Sequence, residues 1–251
     1  MHRFFIPAQW IEGNAVVIEG AQVHQLRDVL RLSAGDRIVV LDNSGVEREV
    51  ELQAVERGRA SGVVRGSRTA AEPRTSITLY QTLLKGSRFE FVIQKCTELG
   101  VAGFVPVLSE RCVPRDAGAA TERRLERWRR IIVEAAEQSK RGRLPTLSGV
   151  MSFEQACQSA TGLSLLPWEE ERALGLRVVV QRELAPGENP VVSLFVGPEG
   201  GFTASEVAFA RGCGVVPVSL GSRVLRAETA GLVAASAVFY ETGDLDPVVP
   251  D

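Results

Sequence analysis

The spacing of hydrophobic and polar positions changes character near residue 70. Before it, short apolar runs at residues 15–18 (AVVI), 37–41 (RIVVL), 46–52 (VEREVEL) and 62–64 (GVV) are bounded by Gly, Asp and Asn turns. Residues 46–52 alternate apolar with charged, as a half-buried antiparallel strand does. A helix is expected over residues 21–32, with Val23, Leu26 and Leu30 on one face. Residues 1–70 thus predict a small β-rich module, and the polar, proline-bearing stretch 67–75 (SRTAAEPRT) predicts a linker.

From residue 71 onward, strands alternate with helices. Residues 77–84 (ITLYQTLL) read as a strand, followed by Ser87 and Glu90 spaced as a capping box. That helix is expected to run to Leu99 and stop at Gly100. A strand at 101–108 and a long helix at 121–141 follow, the helix with Leu125, Trp128, Ile132, Ala135 and Ala136 on its inner face. Further strands are expected at 163–166, 191–196 and 215–220. Helices are expected after Thr203 and Glu206, a second capping box, and over 228–242. The tail beyond Gly243 is expected to fray. Alternation of this kind predicts an α/β domain over residues 71–251 with a mostly parallel sheet and ligands at the strand C-terminal ends.

Composition narrows the function classes. The chain has 251 residues, 45% hydrophobic and 24% charged, enough for two modest cores. No run of 18 apolar residues exists, so no membrane span is expected. The N-terminus lacks a signal-peptide core. Cys96, Cys112, Cys157 and Cys213 are scattered without a CxxC pair, which predicts reduced thiols in a cytoplasmic protein and no metal site. The net charge of −2 conceals an asymmetry. Residues 1–150 carry 23 Lys and Arg against 18 Asp and Glu, and residues 151–251 carry 6 against 13. A basic front half suits a polyanion, although uneven solvated surfaces would look the same.

The candidate chemistry lies in two glycine-bearing turns. The stretch "FVGPEGGFT", residues 195–203, follows an apolar strand and opens a helix, the outline of a phosphate loop. Yet Pro198 removes a backbone N–H, Glu199 would repel a phosphate, and no Lys follows as in a P-loop. The loop offers bare backbone to a neutral or cationic ligand instead. "LGSRVLRAETA", residues 220–230, leaves the next strand in the same way. A flat ligand held between the two turns would meet Leu220, Leu225 and Ala230. Each feature also has a plain structural reading. The glycines suit a tight turn, Arg226 and Glu228 suit a salt bridge, and the arginines at 123–130 suit a solvated face. Trp128, Cys96 and Cys213 suit packing, Glu206 suits a cap, and His24 suits a structural hydrogen bond.

Taken together, "FVGPEGGFTASE", "LGSRVLRAETA", "LLKGSRFEFVIQKCTELGV" and "RWRRIIVEAAEQSKR" resemble the bacterial ribosomal RNA uridine-N3 methyltransferases of the RsmE type, in the SPOUT class. The resemblance extends to the N-terminal "RFFI" and "HQLRDVLRLSAGDRI". It implies a PUA-like RNA-binding β-barrel, a SPOUT α/β domain with a trefoil knot, and a homodimer. It also implies transfer of a methyl group from S-adenosyl-L-methionine to N3 of a uridine in 16S ribosomal RNA of the small subunit. A sulfonium cofactor explains a glycine loop that bears Glu199 and no Lys.

By the same resemblance, the cofactor is expected against Leu166, Gly197, Pro198, Glu199, Gly200, Gly201, Leu220, Gly221, Leu225, Arg226, Glu228, Thr229 and Ala230. Arg226 is expected to stabilise the uridine anion, with Glu228 or Glu134 as proton acceptor, since neither His2 nor His24 lies in the second domain. RNA contacts are expected from Arg3, Arg31, Lys85, Arg88, Gln138 and Arg141, with a substrate or dimer role for Glu134, Gln138, Ser139 and Arg141. Two alternatives remain: a SPOUT enzyme acting on another RNA base or atom, and a non-catalytic RNA-binding protein with a vestigial pocket.

Overall fold

The computed structural model describes residues 1–112, 120–184 and 189–247, excepting the side chains of residues 120 and 121. The chain divides into two compact units, one of Met1–Glu72 with Ala136–Leu144, the other of Pro73–Ala135 with Pro145–Asp251.

The first unit is a six-stranded sheet in the order β1-β4-β5-β6-β3-β2. Its strands are β1 (His2–Phe5), β2 (Ile11–Glu12), β3 (Ala15–Glu19), β4 (Arg37–Leu41), β5 (Val46–Val55) and β6 (Arg59–Thr69). Only β1 and β4 pair in parallel. Alternation along β5 works as expected, with Val50 and Leu52 joining Phe4, Ile18 and Ile38 in the core. The expected linker begins later than its polarity suggests. Ser67, Arg68 and Thr69 still pair with Arg48, Glu47 and Val46, because the long β5 arm offers them a ladder. The expected helix at 21–32 is short and irregular. One α-turn, α1 (Ala21–His24), leads into a wider π-turn over Gln25–Val29, closed by Leu30 N–H on the Gln25 carbonyl at 2.9 Å. Arg31 follows with φ of 56°, a left-handed conformation uncommon for a non-glycine residue.

The segment 136–144 is bound into this unit by Glu72. Its carboxylate accepts from Gly142 N at 2.7 Å, Arg143 N at 3.1 Å and Arg141 Nη2 at 2.8 Å.

The second unit holds a seven-stranded, wholly parallel sheet in the order β10-β8-β7-β12-β11-β13, with β9 also on β8. Its elements are β7 (Ser76–Thr82), α2 (Arg88–Leu99), β8 (Gly103–Leu108), α3 (Ala120–Gln138), β9 (Thr146–Leu147), β10 (Met151–Ser152), α4 (Phe153–Ser159), β11 (Leu163–Pro167), α5 (Leu176–Glu183), β12 (Val191–Val196), α6 (Ala204–Gly212), β13 (Val216–Val218) and α7 (Ala227–Glu241). The central strands are largely buried on both faces, and β12 reads as a nearly continuous apolar run, as in other parallel sheets. Tyr80 stacks on Phe195 at 4.5 Å, and Phe89 packs on Trp128 at 4.4 Å, which places Trp128 in the core.

Two capping boxes were expected, and they diverge. The Thr203 box forms, with Glu206 reaching back to Thr203 N at 2.8 Å. At α2, Ser87 makes no side-chain cap bond, and Glu90 instead takes Arg127 of α3 at 2.7 Å. Gly100 ends α2 with φ of 112°, as its position predicts. The tail is held as far as Asp244, which accepts from Arg74 N and Thr75 N. Residues 248–251 lie outside the described residues. Among the described residues, no helix is long and apolar enough to cross a membrane.

Candidate active site

Because β12, β11 and β13 are neighbours and run parallel, their C-terminal ends lie side by side. Three connections leave that edge: Trp168-Glu169 after β11, the 197–203 loop after β12, and the 219–226 loop after β13. Together with Arg88 at the start of α2, they enclose a cavity of about 370 Å³. Its walls include Gly197, Pro198, Glu199, Gly201, Leu225, Arg226, Glu228 and Ala230. A smaller cavity of about 80 Å³ shares Pro167, Glu169, Val224, Leu225 and Ala230 with it and adds Trp168, Leu220, Gly221 and Arg223.

The glycine loop is shaped from several sides. Gly201 has φ of 67° and donates its N–H to the Pro198 carbonyl at 3.0 Å, closing a turn. A Cβ there would meet the Glu169 carboxylate, the movable end of an exposed side chain, so it is the positive φ that favours glycine. Gly200 turns away from the cavity, and its carbonyl takes Arg111 Nη1 at 2.7 Å. Behind it, buried Glu206 accepts from Glu110 N at 2.8 Å, so one carboxylate caps α6 and anchors the exit from β8.

The charges alternate around the cavity. Glu199 accepts from Arg88 Nη1 at 2.8 Å and from Lys85 N at 3.3 Å. Burial opposes its ionisation, but hydrogen bonds from its own N–H, the Lys85 N–H and Arg88 outweigh burial and hold the carboxyl below its ordinary value. Glu228 Oε1 lies 3.8 Å from Arg88 Nε and 4.0 Å from Arg226 Nη1. Its side chain is 14% exposed, whereas that of Arg226 is 82% exposed at the cavity lip. The Arg226–Glu228 contact is therefore a loose one, and Arg226 remains available to a ligand.

Several expected residues stand elsewhere. Leu166 is fully buried in the core beneath the cavity, with Phe195 and Val207, and does not reach its wall. Gly200 and Thr229 do not line it. Glu134 is exposed on α3 and lines neither cavity. Arg3 and Arg141 were expected at phosphates, and the structure places both in ion pairs. Arg3 is buried against Glu47, and Arg141 is buried against Glu72, so both guanidiniums are already neutralised inside the first unit. Arg31, Lys85 and Gln138 are exposed. Cys213 is exposed rather than packed, while burial pushes the Cys96 thiol up to about 12. The sequence did not single out Glu169. Its signal was its position, two residues past the end of β11, where parallel sheets present ligand-binding groups.

The residues present fit S-adenosylmethionine. Glu228 Oε2 is a buried acceptor without a donor, open to a polar group of a bound ligand or substrate. Trp168 Nε1 is a buried donor without an acceptor. Gly197 and Gly201 present bare backbone, and Val196, Phe202 and Leu225 provide apolar walls for a flat base. The walls carry three carboxylates against two arginines, a balance that does not favour a phosphate.

Comparison with known proteins agrees with this geometry. Residues 71–239 match the RNA methyltransferase domain family, and residues 18–65 match the RNA methyltransferase PUA domain family. A ribosomal RNA small subunit methyltransferase E from Synechocystis is 38% identical over 92% of this chain and 75% of its own length. Its namesake from Bacillus subtilis is 34% identical over 96% and 97%. A crystal structure of the Neisseria gonorrhoeae ribosomal RNA small subunit methyltransferase E bound to S-adenosyl methionine superposes with a TM-score of 0.85 at 32% identity, covering 96% of this chain and 97% of that one. On fold, site and sequence alike, the chain belongs to the family of the ribosomal RNA small subunit methyltransferases E.

Proposed function

We propose that this protein transfers a methyl group from S-adenosylmethionine to N3 of a uridine in 16S ribosomal RNA. The observation that carries the reading is the cavity at the β11–β12–β13 edge, where bare glycine backbone, apolar walls and alternating Glu and Arg meet. When bound, the cofactor supplies an electrophilic methyl group on a sulfonium. The chain's own residues position the uridine and handle its proton. Arg226, exposed at the lip, stabilises the negative charge that spreads onto O2 and O4 as N3 loses its proton. Glu228, whose second oxygen has no donor, accepts that proton. Arg88 holds Glu199 and borders Glu228, so it fixes the glycine loop against α2.

RNA binding falls to residues whose charge is free. Arg31 of the first unit is exposed in a left-handed turn. On α3, Arg123, Arg124 and Arg130 are exposed and have no ion-pair partner among the described residues. Such arginines suit phosphate contacts, which set register and orientation on RNA. The same reading makes the protein a cytoplasmic homodimer, as the family resemblance implies, with a SPOUT knot in its second domain.

The test is transfer of a labelled methyl group to small-subunit RNA or to the assembled subunit. Wild type labels the RNA, and Arg226→Ala loses about 10²–10³ in rate while still binding the cofactor. A wild-type protein that binds RNA but labels neither substrate would be a binding protein and not an enzyme.

A further inference from the structure

Two buried acceptors belong to the first turns of α7, and neither has a donor. One is Glu228 Oε2, and the other is the side-chain carbonyl of Gln81, Oε1. Gln81 is 1% exposed near the C-terminal end of β7 and pairs with Val196 of β12, which lines the larger cavity. Its Nε2 donates to the Thr82 carbonyl at 3.3 Å. Its Oε1 lies against Gly231 of α7, where a Cβ would stand 3.1 Å from it.

Gly231 follows Glu228 by three residues, so the two share one face of the helix, about 5–6 Å apart at Cβ. Helical side chains lean toward the N-terminus. Gly231 has none, and the Gln81 carbonyl occupies the space it leaves under that turn. The other oxygen of Glu228 is already engaged. Oε1 stands 3.8 Å from Arg88 Nε of α2 and 4.0 Å from Arg226 Nη1 of the 219–226 loop. A purely structural glutamine gains nothing from this placement, because a buried carbonyl left unmet opposes folding. A proton on Glu228 is a donor that meets it.

Resting on the reading of Glu228 as proton acceptor, we infer that Gln81 is a positioning residue, whose carbonyl accepts the hydrogen bond of the Glu228 carboxyl once that carboxyl has taken the uridine proton. The N3–H bond breaks and an O–H bond forms on Glu228. The electron pair left on N3 makes the bond to the methyl carbon, and the pair of the carbon–sulfur bond stays on sulfur. Methylated N3 is no longer a base, so the proton does not return to it. The Glu228 O–H turns to Gln81 Oε1 until the product leaves and water takes the proton.

Single-turnover methyl transfer to small-subunit RNA tests this, with calorimetry for the cofactor and thermal unfolding alongside. Gln81→Met keeps an unbranched side chain of similar length and removes the amide. It is expected to slow transfer about tenfold, with cofactor affinity and half-saturation by RNA unchanged and the melting temperature not lowered. In a Glu228→Gln background the same change is expected to slow transfer no further, since Gln81 acts through that carboxyl. Gln81→Asn, which withdraws the carbonyl by one methylene, is expected to be slowed as well and carries the test if Gln81→Met does not fold. Transfer by both variants at the wild-type rate, an equal further loss in the Glu228→Gln background, or a loss confined to cofactor affinity or melting temperature would each overturn the inference. If wild type labels no RNA, or Glu228→Gln transfers at the wild-type rate, it is the reading beneath the inference that fails.

Discussion

Arg88 Nη1, on the first turn of α2, stands 2.8 Å from Glu199 Oε1 in the glycine loop, and its Nε stands 3.8 Å from Glu228 Oε1. One guanidinium thus addresses the carboxylates of both glycine-bearing connections. The arginine was expected to face RNA, and Glu199 was expected to face the cofactor. Their pairing makes Arg88 a positioning residue for the loop. Arg88→Ala is expected to weaken cofactor binding by about fivefold, the measure of an exposed ion pair. Because Arg88 is nearly half exposed, global stability is expected to change by less than about 1 kcal/mol. Arg88→Lys keeps the charge but loses the planar fork and is expected to rescue binding only in part. Titration calorimetry alongside thermal unfolding reads both effects.

Gly201 is expected to tolerate a side chain poorly, chiefly because of its left-handed backbone. Gly201→Ala places a Cβ against Glu169 Oε1 and forces an L-residue into φ of 67°. The backbone term alone costs about 1–2 kcal/mol. Adding Glu169→Ala is expected to recover the steric part of the loss and leave the backbone part, a non-additivity that a double-mutant cycle measures directly.

The first unit makes a prediction about acid. Arg3 and Glu47 are buried as a pair, with Arg68 on the second Glu47 oxygen. Burial works against ionised Glu47, and the two guanidiniums outweigh it, so its carboxyl lies below the ordinary value. A depressed folded pKa contributes stability above the unfolded value of about 4.3, and that contribution is lost as pH falls through the folded value. Arg3→Ala leaves the carboxylate buried without its main partner and is expected to cost about 3–5 kcal/mol at neutral pH. The paired change Arg3→Met with Glu47→Leu is expected to be far milder and to flatten the acid limb. Denaturant titrations at pH 7 and in mild acid check both.

The α6 cap predicts a coupled loss. Glu206→Gln weakens the acceptor that serves Thr203 N and Glu110 N together. Capping substitutions typically cost about 1 kcal/mol, and here hydrogen exchange is expected to rise at Glu110 as well as in the first turn of α6. Exchange that rises only in α6 would contradict the shared anchor.

Much of the architecture was legible because it depends on local pattern. The alternation along residues 46–52, the apolar strand before Gly197, and the Thr203 and Gly100 helix signals each act within a few residues. What was not legible depends on sheet order and distant partners. Ser87 and Glu90 have capping-box spacing, but Arg127 takes Glu90 away. Arg3 and Arg141 look like free cations until folding brings Glu47 and Glu72 to them from 44 and 69 residues away. Leu166 lies at the correct strand end but points into the core, whereas Glu169, a few residues on, reaches the cavity. The short α4 had a local signal that went unread, since Ser152 and Gln155 form a complete capping box.

The most direct measurement is nucleoside analysis of 16S ribosomal RNA after incubation with the protein and methyl-labelled cofactor. The account predicts label in 3-methyluridine, formed about 10²–10³-fold more slowly with Arg226→Ala. Label in any other nucleoside, or none in any, would contradict it.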